Sequence, residues 1–243
     1  MNEVAPTGVL HIGINLGNPV IAQRSPEGDE PLGIGAALGR AFANQLGLPY
    51  RFRTWDTAGK MADAAQRHEW DIAFLAVDPA RAADIDFTAP YVHIEGTCMV
   101  RQDSPAISIA DLDQPGNQIA VALKSAYDLF LSRDVRHATL IREPDSDAAV
   151  DAFLSRRLEA VAGIRQPLEA AAQAQPGLRV LAQSFMTIRQ AAGVPKGRTK
   201  ARQLLAQFIE DSKRNGLVAR ALADSGVGPV TIAPPASDPA LNH

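Results

Sequence analysis

The sequence predicts an α/β protein built as two lobes, and three observations carry that prediction. Short apolar runs alternate with helix-patterned segments along nearly the whole chain, which implies a mostly parallel sheet covered on both faces. A chain of 243 residues suits one large domain or two lobes that each bury a core. Two apolar segments, near residues 100 and 190, lie where a chain would cross between lobes. Val92–Arg101 runs into the polar break Gln102–Pro105, and Ile188–Val194 ends at Pro195–Lys196–Gly197. The expected partition places residues 1–101 and 193–243 in lobe one and 102–192 in lobe two.

Val9–Ile14 reads as a short buried strand. Gly35–Leu46 reads as a helix, with Leu38, Phe42 and Leu46 along one face; Gly47 is its left-handed cap and Pro49 blocks continuation. Tyr50–Thr54 reads as a strand, Ala58–His68 as a helix, Asp71–Val77 as a strand and Pro79–Asp84 as a short helix. The second series starts after Pro105. Gln118–Ala122, Thr139–Arg142, Ala160–Gly163 and Leu178–Leu181 read as strands, and Ala126–Ser132, Ser146–Ser155 and Pro167–Gln173 as helices, the middle one capped by Asp145 or Ser146. Lys200–Arg214 and Leu217–Asp224 close the chain as paired helices, and the proline-rich tail from Gly228 is expected to be loose.

Composition excludes several classes. The net charge is −3, with Lys and Arg scattered, so no nucleic-acid surface is implied. No apolar stretch is long enough to span a bilayer. Met1–Thr7 is short and polar and carries no secretory pattern. Cys98 is the single cysteine, and His11, His68, His93, His137 and His243 are dispersed, so neither a disulfide nor a metal site is expected. Gly33-Ile-Gly-Ala-Ala-Leu-Gly39 has the wrong glycine spacing for a dinucleotide loop and reads instead as a turn and a close-packed helix. No cofactor is expected. Asp71, Asp78, Asp84 and Asp86 are spaced for caps and turns, not for a calcium loop.

The run WDIAFLAVDPARAADIDFTAPYVHIEGTCMVR, Trp70–Arg101, resembles the signature of family-3 extracellular solute-binding proteins. Leu10–Gly13, Val121–Leu131 (VALKSAYDLFL) and Val194–Gly197 with its two following helices match further blocks in order, over about residues 8–226. The resemblance implies the type II periplasmic-binding-protein fold: two α/β lobes, each a mostly parallel sheet flanked by helices, joined by two hinge strands. It also implies a monomeric periplasmic component of an ABC importer, with a membrane permease as partner and a small organic anion or amino acid as ligand.

A site at the carboxyl ends of parallel strands and the amino ends of helices suits an anion. Arg81 follows the third strand, where its guanidinium can grip a carboxylate with two parallel bonds; the resemblance makes it the clamp for the ligand α-carboxylate. Ser125 matches a position facing the same carboxylate, with a plain helix cap as the alternative. Phe52 matches an aromatic that contacts the ligand body, and Phe74 is a candidate second ring. Asn15 is a candidate for the distal end of the ligand, or a turn residue. Glu95 and Gln190 lie on the two crossing strands.

The departures from the family pattern concern the α-ammonium. Phe74 and Ala76 stand where small hydroxyl residues would accept from it, and Ile164–Arg165 where lobe two would supply an aspartate. The expectation is a carboxylate lacking an α-amino group, with Arg165, if it faces the ligand, adding a second guanidinium and favouring a dicarboxylate or aromatic acid. Glu95 is the one acceptor able to rescue an amine. No catalytic residue is assigned. Two alternatives share the fold: an enzyme resembling cyclohexadienyl dehydratase, with Glu95, Glu159 or Glu169 as its acid, and the sensor module of a signalling protein.

Overall fold

The structure is a computed structural model that describes residues 3–236; His243, one of the dispersed histidines, lies outside the described residues. By its contacts the chain forms two compact units, Met1–His93 with Arg189–His243, and Ile94–Ile188.

The first unit opens with β1 (Leu10–Asn15), α1 (Ile34–Leu46), β2 (Tyr50–Trp55), α2 (Ala58–Asp63) and β3 (Ile72–Ala76), followed by a single 3-10 turn, Arg81–Ala83. The strand β4 (Ile85–Arg101) carries the chain into the second unit. There the chain forms α3 (Ile109–Leu112), β5 (Gln118–Ala122), α4 (Ala126–Asp134), β6 (Thr139–Glu143), α5 (Ser146–Ser155), β7 (Ala160–Ile164), α6 (Arg165–Ala174) and β8 (Leu178–Val180). Then β9 (Met186–Pro195) returns to the first unit, which ends with α7 (Thr199–Arg214), α8 (Leu217–Ser225) and β10 (Thr231–Ile232).

In the first unit β1 lies between β2 and β3, parallel to both, and β9 pairs antiparallel with β3. Successive side chains of β3 point to opposite faces. Ala73 and Leu75 pack with Met61, Ala64, Trp70 and Ile85 on the α2 side. Phe74 goes the other way, toward Gly39 of α1. That glycine is required there, since a Cβ would stand 2.8 Å from Ile12 Cγ2. The glycine triplet 33–35–39 thus serves to start α1 and to seat it on the sheet. Gly47 caps α1 at φ 64, as its position predicts.

In the second unit β5 pairs in parallel with β6 and β7, while β4 runs antiparallel to β7 and β8. Its core gathers Met99, Ala120, Phe153, Leu158, Val161 and Leu168. The crossing strands show a reciprocal fit. At Gly96 of β4 a Cβ would stand 2.6 Å from Met186 Cγ of β9, and at Gly193 of β9 a Cβ would stand 2.6 Å from Ile85 Cγ2 of β4. Each strand gives up a side chain where the other needs room.

Three expectations are corrected. The helix read as Ala58–His68 stops at Asp63, because Trp70 Nε1 donates to the Met61 carbonyl (2.9 Å) and the chain reverses through His68 at φ 51. The strand read as Val92–Arg101 starts at Ile85, whose side chain is needed in the α2-side core. The tail is not loose throughout. Thr231 and Ile232 pair with His93 and Val92, and Ala233 N–H donates to the Tyr91 carbonyl at 3.0 Å. A buried ion pair anchors it. Lys213 Nζ lies 2.6 Å from Glu210 Oε1 and donates to the carbonyls of Pro90 (3.2 Å) and Pro234 (2.9 Å), while Glu210 Oε2 accepts from Ala236 N–H. A two-residue strand flanked by prolines has no sequence period to reveal it.

Removing one member of such a pair leaves the other charge buried. Lys213→Met is therefore expected to destabilise the protein by about 3–5 kcal/mol in urea unfolding and to open the tail to proteolysis. A change under about 1 kcal/mol would show that the anchor is solvated.

Candidate ligand-binding site

In the first unit the carboxyl ends of β1 and β3 are neighbours, since Ile14 pairs with Phe74. The candidate site residues of this unit lie at these two strand ends and in the turn after β3. Ala76 closes β3, is buried, and stands opposite Gln190 of β9, itself 4% exposed. Asp78 then starts a tight turn: its Oδ1 accepts from Ala80 N–H (2.9 Å) and its carbonyl from Arg81 N–H (3.0 Å). The turn folds Arg81 back against the strand it has just left. Its Nη1 donates to the Ala76 carbonyl at 3.0 Å, and the residue is 5% exposed. Burial pulls the guanidinium down to about 10, while Asp78 and Asp63 pull it upward, so Arg81 remains a cation at neutral pH. Asn15 ends β1 with its Oδ1 accepting from Gly17 N–H at 2.9 Å, the geometry of a turn residue. Asn15, Ala76, Arg81 and Gln190 are thereby gathered at one end of one sheet.

The two phenylalanines lie elsewhere. Phe52 is mid-strand in β2, opposite Ile12, with Arg40 over its ring at 5.6 Å and Tyr50 edge-on at 5.4 Å. Strand alternation turns it toward α1 rather than toward the strand ends. Phe74 is 1% exposed and edge-on to Tyr91 at 6.0 Å, within the core. Neither ring is placed among the strand-end residues.

In the second unit Ser125 follows β5 and caps α4, its Oγ accepting from Asp128 N–H at 3.0 Å. Its neighbour across the sheet is the start of α5, where Asp145 caps through Ala148 N–H (2.8 Å) and Ser146 Oγ lies 3.0 Å from Tyr127 Oη. Burial raises the Tyr127 phenol, against the lowering effect of its bonds to Ser146 and Ser125. Arg165 opens α6 directly after β7. Its guanidinium is engaged within the unit: Nη1 donates to Leu181 O (3.2 Å), Nη2 to Ala182 O (2.9 Å), and Nε contacts the Glu95 carboxylate. Glu169 stands 3.5 Å from Nη1. Glu95, with its side chain 53% exposed, is thus a partner of Arg165.

Asp78 fills the turn role its spacing predicts, whereas sequence reasoning did not single out Asp128. Asp128 is 3% exposed and is bonded by Arg142 Nε at 2.9 Å. The Ser-x-x-Asp spacing at 125–128 is a capping signal legible in the sequence, but the bond from Arg142 on the next strand is not. The other aspartates fill structural roles. Asp71 holds His11 and Arg198, and Asp86 holds Lys196 and Gly197 N–H.

The model of the bacterial extracellular solute-binding proteins, family 3, matches residues 10–224. The chain belongs to this family. No curated protein matches the sequence. Solved structures with the same fold include an ancestral amino acid-binding protein that is a precursor of cyclohexadienyl dehydratase (19% identity, 92% of this chain and 97% of that one covered, TM-score 0.76). A substrate-binding protein of an amino acid ABC transporter from Streptococcus pneumoniae, bound to L-arginine, is similar at 16% identity, 93% and 97% coverage and TM-score 0.78. So is a histidine kinase sensor domain with similarity to periplasmic binding proteins, at 18% identity, 93% and 98% coverage and TM-score 0.78. At these identities the likeness establishes the mixed α/β fold of periplasmic binding proteins. Among the described residues of this family-3 protein, no helix is long and apolar enough to cross a membrane.

The bonds of Arg165 carry a prediction. Arg165→Met takes the Arg165 donor from the Ala182 carbonyl and one of two donors from the Leu181 carbonyl, which keeps Thr97 Oγ1, and the second unit is expected to lose about 1.5–3 kcal/mol of stability in urea. Unchanged stability would release Arg165 from this structural role.

Proposed function

We propose that this family-3 protein is the solute-binding component of an ABC importer and closes its two lobes on a small carboxylate. The observation that carries this reading is Arg81, a buried cation at the carboxyl end of β3 whose fork is oriented by the Ala76 carbonyl. The attraction of a buried cation for an anion is little screened by salt or water, and a guanidinium offers a carboxylate two parallel donors. The amide ends of α4 and α5 at the corresponding strand ends of the second unit favour the same charge. Capture by one lobe and subsequent hinge closure would bury the ligand and strengthen these bonds. The membrane partner would be the importer's permease, and the compartment the periplasm.

The finer reading is that the ligand lacks an α-ammonium. Ala76, at the end of β3, offers only a methyl group where an ammonium would need an acceptor, and Phe74 is turned into the core. Ile164 is aliphatic and Arg165 cationic at the start of α6, and Glu95 is turned to Arg165. An ammonium desolvated without acceptors loses more than the carboxylate gains.

Binding is favoured over turnover by the state of the acids. A general acid needs to reach the reacting group in a protected setting. Glu95 is half exposed and ion-paired, Glu169 lies against Arg165, and Glu159 Oε2 accepts from Gln118 N–H at 2.7 Å.

Two measurements test the proposal. Arg81→Lys keeps the charge and loses the fork, so carboxylate affinity is expected to fall at least about tenfold in calorimetry; unchanged affinity would remove Arg81 from the site. With matched pairs such as phenylalanine and phenylpyruvate, the oxo acid is expected to bind more tightly. Tighter binding of the amino acid, lost on Glu95→Gln, would instead make Glu95 the ammonium acceptor.

A further inference from the structure

Between β5 and α4 the chain passes through Leu123, Lys124 and Ser125, and Lys124 has φ 56. This is the left-handed region, uncommon for any residue with a Cβ outside Asn and Asp and held only when the surroundings demand it. The demand comes from Asp128. In an ordinary capping box the acid at the third helical position accepts from the N–H of the capping residue itself; Asp111 does this to Ser108 in α3, at 2.9 Å. In α4 the pattern is shifted by one residue. Ser125 N–H is taken by the Ala122 carbonyl (3.1 Å), and Asp128 Oδ2 reaches past it to Lys124 N–H at 2.8 Å. Asp128 Oδ1 is fixed by Arg142 Nε at 2.9 Å, and Arg142 Nη2 donates to Ser132 Oγ at 2.8 Å. One buried carboxylate therefore ties β6, α4 and the left-handed residue together.

We infer that Asp128 is a positioning residue for the ligand site: it holds Lys124 left-handed and so aims the Ser125 hydroxyl and the first amides of α4 at the bound anion. The inference rests on the carboxylate-binding reading above. Without the Asp128 acceptor, Lys124 relaxes to negative φ, the peptide before Ser125 turns, and the anion loses a preorganised donor set. Asp128 need not touch the ligand to do this. Arg142, bonded to Oδ1, keeps the carboxylate from swinging to Ser125 N–H.

The test uses the full chain in four forms: wild type, Asp128→Ala, Asp128→Asn and Asp128→Ala/Lys124→Gly. The first readout is amide hydrogen exchange of residue 124 without ligand. Loss of a bond to a charged acceptor is expected to speed exchange about tenfold in Asp128→Ala, and about threefold in Asp128→Asn, whose neutral oxygen is the weaker acceptor. The second is calorimetry with phenylpyruvate and 2-oxoglutarate. Affinity is expected to fall about tenfold in Asp128→Ala and to recover to within about threefold in the double variant, because glycine adopts positive φ without help. A purely structural role would lower the melting temperature and leave affinity unchanged, or leave the glycine substitution unable to restore it; either result overturns the inference. Unaltered exchange at residue 124 overturns it as well. If neither acid binds the wild type, the carboxylate reading fails and with it the inference, whereas binding to wild type with no loss in the variants rejects the inference alone. Should Asp128→Ala fail to fold, Asp128→Asn with and without Lys124→Gly makes the same comparison.

Discussion

Two strands have to serve two units. β4 and β9 each belong to both units, and each must satisfy its backbone bonds in both. Within the first unit β9 pairs with β3 and the start of β4 pairs with β10; within the second, β4 pairs with β7 and β8. Side chains on such closely shared strands collide unless some are absent. Gly193 yields to Ile85 in the first unit and Gly96 to Met186 in the second. The remaining elements hang on this pair of strands: β3, β1 and β2 extend from β9, and β7, β5 and β6 from β4.

Parallel strands have a functional consequence. Their carboxyl ends share one side of each sheet, and the chain must turn there into a helix or a tight loop. Every such turn leaves unbonded amides, which draws caps and anion-compatible groups to the same place. Asn15, Ala76 and Arg81 in the first unit and Ser125, Ser146 and Arg165 in the second all occur at such ends. The fold thus sets a positive electrostatic sign at these strand ends before any single side chain is chosen.

Buried charge is handled locally in each unit. Asp71 is shared by His11 and Arg198, Lys213 is paired with Glu210, and Asp128 is bonded by Arg142. These pairs are weak evidence for net stability, since ionic groups gain by pairing about what they lose by burial. Their effect is on register. The Lys213–Glu210 pair docks a tail that composition alone would leave loose, and Asp128 holds a backbone conformation that lysine does not choose. Arg81 is held in the same way, folded back on the Ala76 carbonyl, with Asp78 and Asp63 opposing the lowering of its pKa by burial.

By itself the sequence determined the α/β class, the family, nearly all strands and helices, and the place of Arg81 just after the third strand. These are properties of local period, turn chemistry and motif order, which neighbours in the chain carry together. The tertiary structure alone decided what the side chains face. Phe52 and Phe74 are aromatic residues on strands, and only the packing of α1 and Tyr91 shows them turned away from the strand ends. Arg165 and Glu95 read as rivals for a ligand, yet they are seventy residues apart and bonded to each other. The register of β4 against β7, with Gly96 opposite Ile164, is what brings them together. Asp128 meets Arg142 through the pairing of β5 with β6, and β10 finds β4 across more than a hundred residues. Such contacts depend on sheet register and on burial, and neither is written in any stretch of sequence short enough to carry a pattern.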